Sequence, residues 1–166
     1  MDDRDELLRL DNQLCFALVT AARNVVSIYR PVLGPLGLTH PQYLVMLALW
    51  ERSPRSLGEL ADELAMEPAT LSPLVKRLEA QGRVSRGRSA ADERVLEVGL
   101  TDDGAALRRL ALEVPGAIMQ RTGMDAAQIA ALRDALAPFA VRRSADRAAT
   151  LGRRRLTHSG RVPVKS

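Results

Sequence analysis

Residues 57–100 restrict the fold of this chain more than any other segment, because they contain two closely spaced helices. A turn is predicted at residues 53–56, with Ser56 as the cap of the helix that follows. Residues 57–64 have the apolar spacing of an amphipathic helix, and residues 65–67 form a short turn. A second helix, opened by a proline, covers residues 68–81. Two helices separated by so short a turn predict a helix-turn-helix arrangement.

A hairpin follows the two helices. Residues 84–86 and 95–100 have the apolar and polar alternation of strands, and the loop between them, residues 87–94, is polar and charged. Helix, turn, helix and basic hairpin together predict a winged helix-turn-helix, a module that places one helix in the DNA major groove. The predicted fold class is therefore mainly α with a small β-wing, flanked by N- and C-terminal helices that pair two chains.

The second helix has one apolar and one polar side. At about 100° per residue, its core face consists of Leu71, Leu74, Val75 and Leu78. The candidate DNA-binding residues on the other side are Ala69, Thr70, Ser72, Pro73, Lys76 and Arg77. Small and hydroxyl side chains can approach base edges, and basic side chains one turn further on suit phosphates. Alternatively, these residues are an ordinary solvated helix face.

The hairpin supplies the remaining candidate DNA-binding residues, which are Arg86, Arg88, Asp92 and Arg94. An arginine in a narrow minor groove gains from its negative potential without a base-specific bond. Asp92, two residues before Arg94, is placed to hold the guanidinium, although aspartate is also common in turns. Residues 76–94 contain six Lys and Arg against three acids, a local charge of +3.

Charge and composition exclude several classes of function. Residues 142–166 carry a charge of +7 and residues 1–141 carry −3, so the basic tail accounts for the positive net charge of +4. Aromatic residues make up 3% of the chain, too few for a surface that stacks single-stranded bases. Neither a membrane span, a signal peptide nor a metal-ligand spacing occurs, so we expect a cytoplasmic protein without cofactor.

Apolar stripes at both ends of the chain predict dimerisation helices. The first stripe consists of Leu7, Leu10, Leu14, Leu18, Ala21, Val25 and Ile28, in one helix that ends near Arg30 because Pro31 follows. The other predicted helices cover residues 41–51, with Thr39 or His40 near the cap, residues 102–113, capped by Thr101 and interrupted at Pro115-Gly116, and residues 125–150. The apolar surface of these stripes is larger than a single winged-helix domain can bury. This favours a homodimer over a monomer that folds its two ends on itself.

Four regions result from this reading. We expect an N-terminal dimerisation helix in residues 1–36, the winged helix-turn-helix in residues 37–101 and C-terminal dimerisation helices in residues 102–150. The Arg-rich segment 151–166 is expected to be a disordered tail and a solvated extension, the alternative being phosphate contacts.

Several motifs resemble a known family. The hairpin motif Asp92-Glu93-Arg94 and the helix Thr-Leu-Ser-Pro-Leu-Val-Lys-Arg-Leu-Glu at residues 70–79 resemble the MarR family of dimeric winged-helix repressors. Residues 10–16, with Asn-Gln-Leu-Cys-Phe, together with residues 29–31 and 38–44, look like the OhrR branch of organic-hydroperoxide sensors. The resemblance covers about residues 7–140 and leaves the tail outside.

Cys15 is the single cysteine of the chain. From its neighbours Leu14 and Leu18 alone, it reads as a small core hydrophobe in the middle of a helix. The resemblance implies instead that Cys15 is the peroxide-sensing thiol, which peroxide oxidises to sulfenic acid. Since no second cysteine exists, the resemblance implies the single-cysteine type, completed by a small external thiol or by over-oxidation.

The resemblance also implies tyrosine partners for the thiol. Tyr29 matches one of them, His40 stands where the family has a second, and Val19 stands where another is common. Cys15 and Tyr29 are 14 residues apart in one predicted helix, about 21 Å along its axis. Their contact therefore requires the partner subunit, as does a contact between Cys15 and His40.

The expected function follows from these implied roles. The chain is expected to be a repressor of an inverted repeat in double-stranded DNA, released when organic hydroperoxide oxidises Cys15. The alternative is a MarR-type repressor that senses a reversibly bound aromatic or anionic ligand, with Cys15 only structural. A thiol peroxidase is disfavoured, because the chain lacks a resolving cysteine and a local arginine to activate the thiol, so we expect no enzyme.

Overall fold

Helices dominate the fold, together with one small sheet. The computed structural model describes residues 3–90 and 92–140. Its elements in chain order are α1 (Asp3–Leu7), α2 (Leu14–Leu33), α3 (His40–Glu51), β1 (Arg55–Ser56), α4 (Leu57–Glu63), α5 (Pro68–Ala80), β2 (Val84–Arg88), β3 (Leu96–Leu100), α6 (Asp102–Ala111), α7 (Val114–Thr122) and α8 (Ala126–Leu136). Short 3-10 turns cover Leu10–Asn12, Gly34–Leu36 and Ala137–Phe139. The predicted fold class is confirmed.

The hydrophobic core lies where α3, α4 and α5 meet the sheet. Leu71, Val75 and Leu78 of α5 are completely buried, as the helical spacing predicts, whereas Leu74 is only half-buried. They belong to one cluster with buried residues of the neighbouring elements, among them Val45, Met46, Leu49, Leu60, Val84 and Val98. This core fixes α5 against the sheet, so that the opposite side of α5 faces outward.

The sheet has three antiparallel strands in the order β1-β3-β2. The prediction of a simple turn at residues 53–56 was wrong for Arg55 and Ser56, which pair with Val98 and Glu97 of β3. A strand of two residues has no periodicity to detect, and it forms because β3 offers it a free edge. Ser56 nevertheless caps α4 as predicted, since its Oγ accepts from the backbone N–H of Glu59 at 3.1 Å.

The turn between α4 and α5 is tight. Ala65 adopts a left-handed conformation with φ of 51°, which costs a side-chain-bearing residue free energy. The following N–H, from Met66, donates to the carbonyl of Ala61 at 2.9 Å and closes the end of α4. This geometry sets the angle at which Pro68 begins α5.

A close backbone contact fixes α6 beneath the wing. A Cβ on Gly104 would lie 1.9 Å from the carbonyl oxygen of Arg83, so only glycine permits this approach. Trp50 of α3 donates its indole N–H to the Gly104 carbonyl at 2.9 Å. Thr101 caps α6 as predicted, accepting from the N–H of Gly104 at 3.0 Å.

The N-terminal helix differs from the prediction at both ends. It is not continuous from Leu7, because the amide side chains of Asn12 and Gln13 donate to the carbonyls of Glu6 and Leu7 and hold a break before α2. Nor does it stop at Arg30, since α2 passes through Pro31 to the buried Leu33. A proline so close to the end removes one helical hydrogen bond, and the burial of Leu33 offsets this cost.

The C-terminal helices also differ in extent. The predicted interruption appears as a short break between α6 and α7, and Pro115 lies in the first turn of α7, where a proline is tolerated. The prediction that the last helix continues beyond Leu136 was wrong for residues 137–140, where a 3-10 turn containing Pro138 replaces it. Residues 141–166, including the rest of that predicted helix and the basic tail, lie outside the described residues.

Two further findings concern the described part of the chain. None of its helices alone has the length and hydropathy of a membrane span; α2 with the following turn meets the criterion only jointly with α3, across a bend of 68°. Within residues 3–90 and 92–140, no group of three or more His, Cys, Asp and Glu side chains is arranged to hold a metal ion.

Candidate DNA-binding surface and redox site

The outer side of α5 carries the predicted recognition residues. Ala69, Thr70, Pro73, Lys76 and Arg77 are exposed. Ser72 is half-buried and lies at the border of the core. Because the buried residues of α5 hold its inner side against the core, the exposed side is available as a unit to a partner molecule.

The hairpin tip presents an arginine that is already oriented. Arg94 is 90% exposed, and its Nε and one terminal nitrogen donate to the carboxylate oxygens of Asp92 at 3.1 and 3.4 Å. The backbone N–H of Arg94 donates to the same carboxylate at 3.0 Å, and the guanidinium holds the pKa of Asp92 below its usual value. Arg88, at the end of β2, is exposed as well. The tip therefore offers two cations to solvent.

Arg86 differs from the other predicted wing cations. Its Nε donates to the carboxylate of Glu79 at 2.7 Å, and the side chain is only 26% exposed. This hydrogen bond lowers the pKa of Glu79 below its usual value. The pair joins β2 to α5, so the positive charge of Arg86 is largely neutralised by the carboxylate of Glu79. Sequence reasoning missed Glu79, since nothing in the spacing of the two residues signals their contact.

Cys15 lies at the start of a helix, not in the middle of one as predicted. It is the second residue of α2, directly after the break at Gln13, and it is exposed. Leu14 and Phe16 beside it are also exposed, at 56% and 42%. Within its own chain Cys15 is therefore not a core hydrophobe, and its sulfur is open to reagents or to another subunit.

The two predicted thiol partners contact each other. The rings of Tyr29 and His40 meet edge to face with centroids 5.1 Å apart. Tyr43 lies 6.1 Å from Tyr29 and 6.3 Å from Trp50, so four aromatic rings connect α2 with α3. Sequence reasoning missed Tyr43 and Trp50; their spacing of seven residues, which places them on the same side of a helix, was the available signal.

Burial determines the protonation of this aromatic group. Burial raises the pKa of Tyr29 and of Tyr43, so both remain neutral phenols at neutral pH. It lowers the pKa of His40 below its ordinary value of 6.5, so this imidazole is neutral at pH 7. Tyr29 and His40 can thus donate hydrogen bonds to an anion without carrying charge themselves.

The thiol and its predicted partners are far apart within one chain. Cys15 and Tyr29 both belong to α2, and 14 residues at 1.5 Å each place them about 21 Å apart. The structure therefore brings Tyr29 and His40 together but separates both from the sulfur of their own chain.

A cavity of about 320 Å³ opens next to the aromatic group. Tyr43, Trp50 and Glu51 of α3 form one wall, and Arg108, Leu112 and Pro115 form the other. The aromatic walls and Arg108 suit a small aromatic anion, whereas Glu51 adds an acidic side chain to the same lining.

Comparison with known proteins identifies the family. The family model described as transcriptional regulator SarA/Rot matches residues 27–108. The organic hydroperoxide resistance transcriptional regulator of Bacillus subtilis (strain 168) is 37% identical over 136 residues, which are 82% of this chain and 92% of that protein. The chain belongs to the MarR family of winged-helix transcriptional regulators, as its motifs indicated.

Other MarR-type regulators agree with this membership. The HTH-type transcriptional regulator TtmR of Methylorubrum extorquens (strain PA1) is 43% identical over 134 residues, 81% of this chain and 69% of that protein. AbfR is a protein of Staphylococcus epidermidis, and its overoxidised form has been crystallised on DNA. That chain is 33% identical in sequence to this one; the match covers 82% of this chain and 96% of the AbfR chain, with a TM-score of 0.66. These relatives are regulators of transcription, and the chain is a regulator rather than an enzyme.

Proposed function

We propose that the chain is a dimeric repressor that leaves its operator when an organic hydroperoxide oxidises Cys15. The observation that carries the proposal is the exposed thiol of Cys15 in the first turn of α2, 14 residues from Tyr29 on the same helix. The B. subtilis relative is named for organic hydroperoxide resistance, and AbfR has been crystallised on DNA in an overoxidised state. The first name supports a regulator that responds to organic hydroperoxide, and the second supports a DNA-binding relative that can be oxidised. Because its ligand is DNA, its place of action is the cytoplasm.

The DNA partner is proposed to be an inverted repeat. Each subunit would insert α5 in the major groove and the tip with Arg94 in the adjacent minor groove. The exposed Lys76 and Arg77, about two turns beyond the N-terminal end of α5, suit phosphates. Two subunits related by a twofold axis read two half-sites of opposite direction, which is why the repeat is inverted.

Dimerisation is supported by apolar side chains that the single chain leaves exposed. At the N-terminal end, Leu7, Leu8 and Leu10 are 71%, 82% and 62% exposed. At the C-terminal end, α8 contains no buried residue, and Leu132 and Phe139 are at least half exposed. Apolar surface at both ends of the chain is what a second copy would cover.

The sensing site is proposed to form between subunits. Tyr29 and His40 of one subunit would donate hydrogen bonds to the thiolate of Cys15 from the other, with the first long helices crossing antiparallel. A hydroperoxide then transfers its distal oxygen to the sulfur: the S–O bond forms, the O–O bond breaks and the alcohol departs with a proton. The resulting sulfenic acid condenses with a small external thiol and releases water, or is oxidised further by a second hydroperoxide.

Release from DNA follows from the position of this site. Oxygen or a thiol adduct on Cys15 displaces the rings of Tyr29 and His40, and His40 is the first residue of α3. Because α3 packs on α5, a shift of α3 changes the separation of the two recognition helices. The spacing of two half-sites is fixed by the DNA, so a changed separation lowers affinity.

Fluorescence anisotropy with labelled DNA from upstream of the gene itself tests the proposal. Reduced protein is expected to bind, to dissociate after treatment with cumene hydroperoxide and to bind again after incubation with dithiothreitol when a small thiol is present during oxidation. Binding that is unaffected by hydroperoxide would reject redox sensing, and failure to bind would reject the DNA-binding role.

Mixed dimers test the arrangement across subunits. A dimer with Cys15→Ser on one chain and Tyr29→Phe on the other retains one complete site if the site is shared between chains. A dimer with both changes on the same chain has two incomplete sites: one lacks the cysteine, and the other lacks the tyrosine hydroxyl. The first is expected to oxidise at its remaining Cys15 at the wild-type rate and the second more slowly; the reverse order would place each site within one chain.

The cavity beside Tyr43 favours a second candidate function. A small aromatic anion between Trp50 and Arg108 would act on α3, the helix that also carries His40, and on α6, without any covalent change. In that case a benzoate-type ligand releases both wild-type protein and Cys15→Ser from DNA, and hydroperoxide releases neither.

A further inference from the structure

The middle of α5 carries a proline that the fold itself does not require. Pro73 is the sixth of thirteen residues in this helix. It removes the N–H that would bond to the carbonyl of Ala69, and an interior proline destabilises a helix more than any other residue. Its side chain is exposed, so packing within the chain does not offset this cost. An explanation must come from what the exposed side of α5 contacts.

Pro73 lies at the centre of that exposed side. At 100° per residue, Ala69, Pro73 and Lys76 fall within about 60° of one another. The completely buried residues of α5, Leu71, Val75 and Leu78, form an equal arc on the opposite side. We call these three residues, together with the exposed Thr70 and Arg77 on the other flank of Pro73, the outward face. Ala69 and Pro73 are its two apolar members, beside one hydroxyl and two long cations.

The apolar part of the outward face restricts what it can read. Each base pair in the major groove presents hydrogen-bonding groups, and only thymine adds an apolar group, its C5-methyl. Methyl and ring carbons form no hydrogen bond with either kind of base pair, but the C5-methyl of thymine gives them an apolar contact that a G·C pair lacks. Ala69 and Pro73 are therefore matched to thymine.

The spacing of the two residues defines which thymines. Pro73 follows Ala69 by four positions, which is about 6 Å along the helix axis. Base pairs are stacked about 3.4 Å apart, so the two side chains span about two steps. We propose that Ala69 and Pro73 select thymines about two base-pair steps apart in each operator half-site through their C5-methyl groups, while Lys76 contacts phosphate. This inference rests on the proposed DNA-binding function and specifies its sequence preference.

Removal of single methyl groups from the DNA tests the proposal. Binding duplexes are first selected from a randomised pool, and each thymine is then replaced by deoxyuridine, which lacks only the C5-methyl. At the thymines read by Ala69 and Pro73, one lost methyl contact is expected to weaken binding about fourfold per half-site. Replacement in both half-sites is expected to weaken it about 16-fold if the two contributions multiply.

Three variants assign the effect to the outward face. Pro73→Ala keeps the helix but removes the ring carbons; it is expected to bind the thymine duplex about fourfold more weakly and to lose its response to deoxyuridine at one position. Lys76→Ala is expected to bind all duplexes more weakly and to keep that response. Pro31→Ala, the same change at the interior proline of α2, is expected to behave like the wild type.

The possible outcomes separate this proposal from the function on which it rests. If selection yields no preferred sequence, the proposed operator binding fails, and this inference with it. If a sequence is selected but tolerates deoxyuridine at every thymine, DNA binding stands and methyl reading is overturned. If Pro73→Ala retains the full response at every position, the assignment of methyl reading to Pro73 is overturned. A folding defect does not confuse the result, because Pro73→Ala is expected to raise the midpoint of thermal unfolding.

Discussion

Replacement of Arg94 by alanine separates DNA binding from folding. The guanidinium is 90% exposed, and its hydrogen bonds within the described residues go to Asp92. Loss of so exposed an ion pair should leave the free energy of unfolding almost unchanged. On DNA, loss of a specific arginine contact costs about 1–3 kcal/mol per half-site, about 2–6 kcal/mol for a dimer if the two add. Affinity should therefore fall at least about 30-fold.

The chain contains a matched control for this variant. Arg9 forms the same kind of exposed pair with Asp11, through Nε at 3.2 Å and a terminal nitrogen at 3.0 Å. Arg9→Ala removes the same side chain and the same type of pair away from the wing, so its DNA affinity should equal that of the wild type. Anisotropy with the selected duplex at moderate salt measures both, and light scattering verifies that both remain dimers. If Arg94→Ala binds within about twofold of Arg9→Ala, the hairpin is not a DNA-contacting wing and the reasoning is refuted.

Three further predictions concern stability and are measured by urea unfolding. Gly104→Ala places a Cβ 1.9 Å from the Arg83 carbonyl and should destabilise the fold by about 1–3 kcal/mol, whereas Gly116→Ala, with no atom within 4 Å, should be neutral or stabilising. Ala65→Gly relieves the left-handed backbone at φ of 51° and should stabilise the fold by about 0.5–1 kcal/mol; a loss would show that the strain is absent. Burial lowers the pKa of His40, so as the pH is lowered below about 6.5 the unfolded chain takes up a proton at this residue before the folded state does. The stability of the wild type should therefore decrease as the pH is lowered, and His40→Gln should make this decrease less steep. Equal slopes for wild type and variant would contradict this.

The parts of the fold that depend on local signals were predictable. Ser56 and Thr101 are recognisable caps, because a hydroxyl at the start of an apolar-periodic segment satisfies free backbone N–H groups. The buried side of α5 followed from helical spacing, and that spacing also placed Lys76 and Arg77 outside. These features require only residues near one another in sequence.

The features that were missed depend on contacts that spacing does not signal. The pairing of Arg55 with Val98 creates β1, and the contact of Arg86 with Glu79 pairs one predicted DNA-binding cation with an acid of its own chain. The start of α2 was misplaced because periodicity continues across the break held by the side chain of Gln13. That error had a consequence for the redox site, since it placed Cys15 inside a helix and not at its exposed beginning.

The central claim is that oxidation of Cys15 releases the chain from DNA. Cys15→Ser replaces the sulfur with a hydroxyl oxygen that hydroperoxide does not oxidise but that can still accept hydrogen bonds from Tyr29 and His40 of the partner subunit. Folding and DNA affinity of the reduced state should therefore be close to those of the wild type. Wild type and Cys15→Ser are each bound to the selected duplex and titrated with cumene hydroperoxide, with anisotropy and protein mass recorded together. The account predicts that the wild type dissociates as its mass gains oxygen or a thiol adduct, while Cys15→Ser stays bound. Release of Cys15→Ser at the same hydroperoxide concentration as the wild type would contradict it.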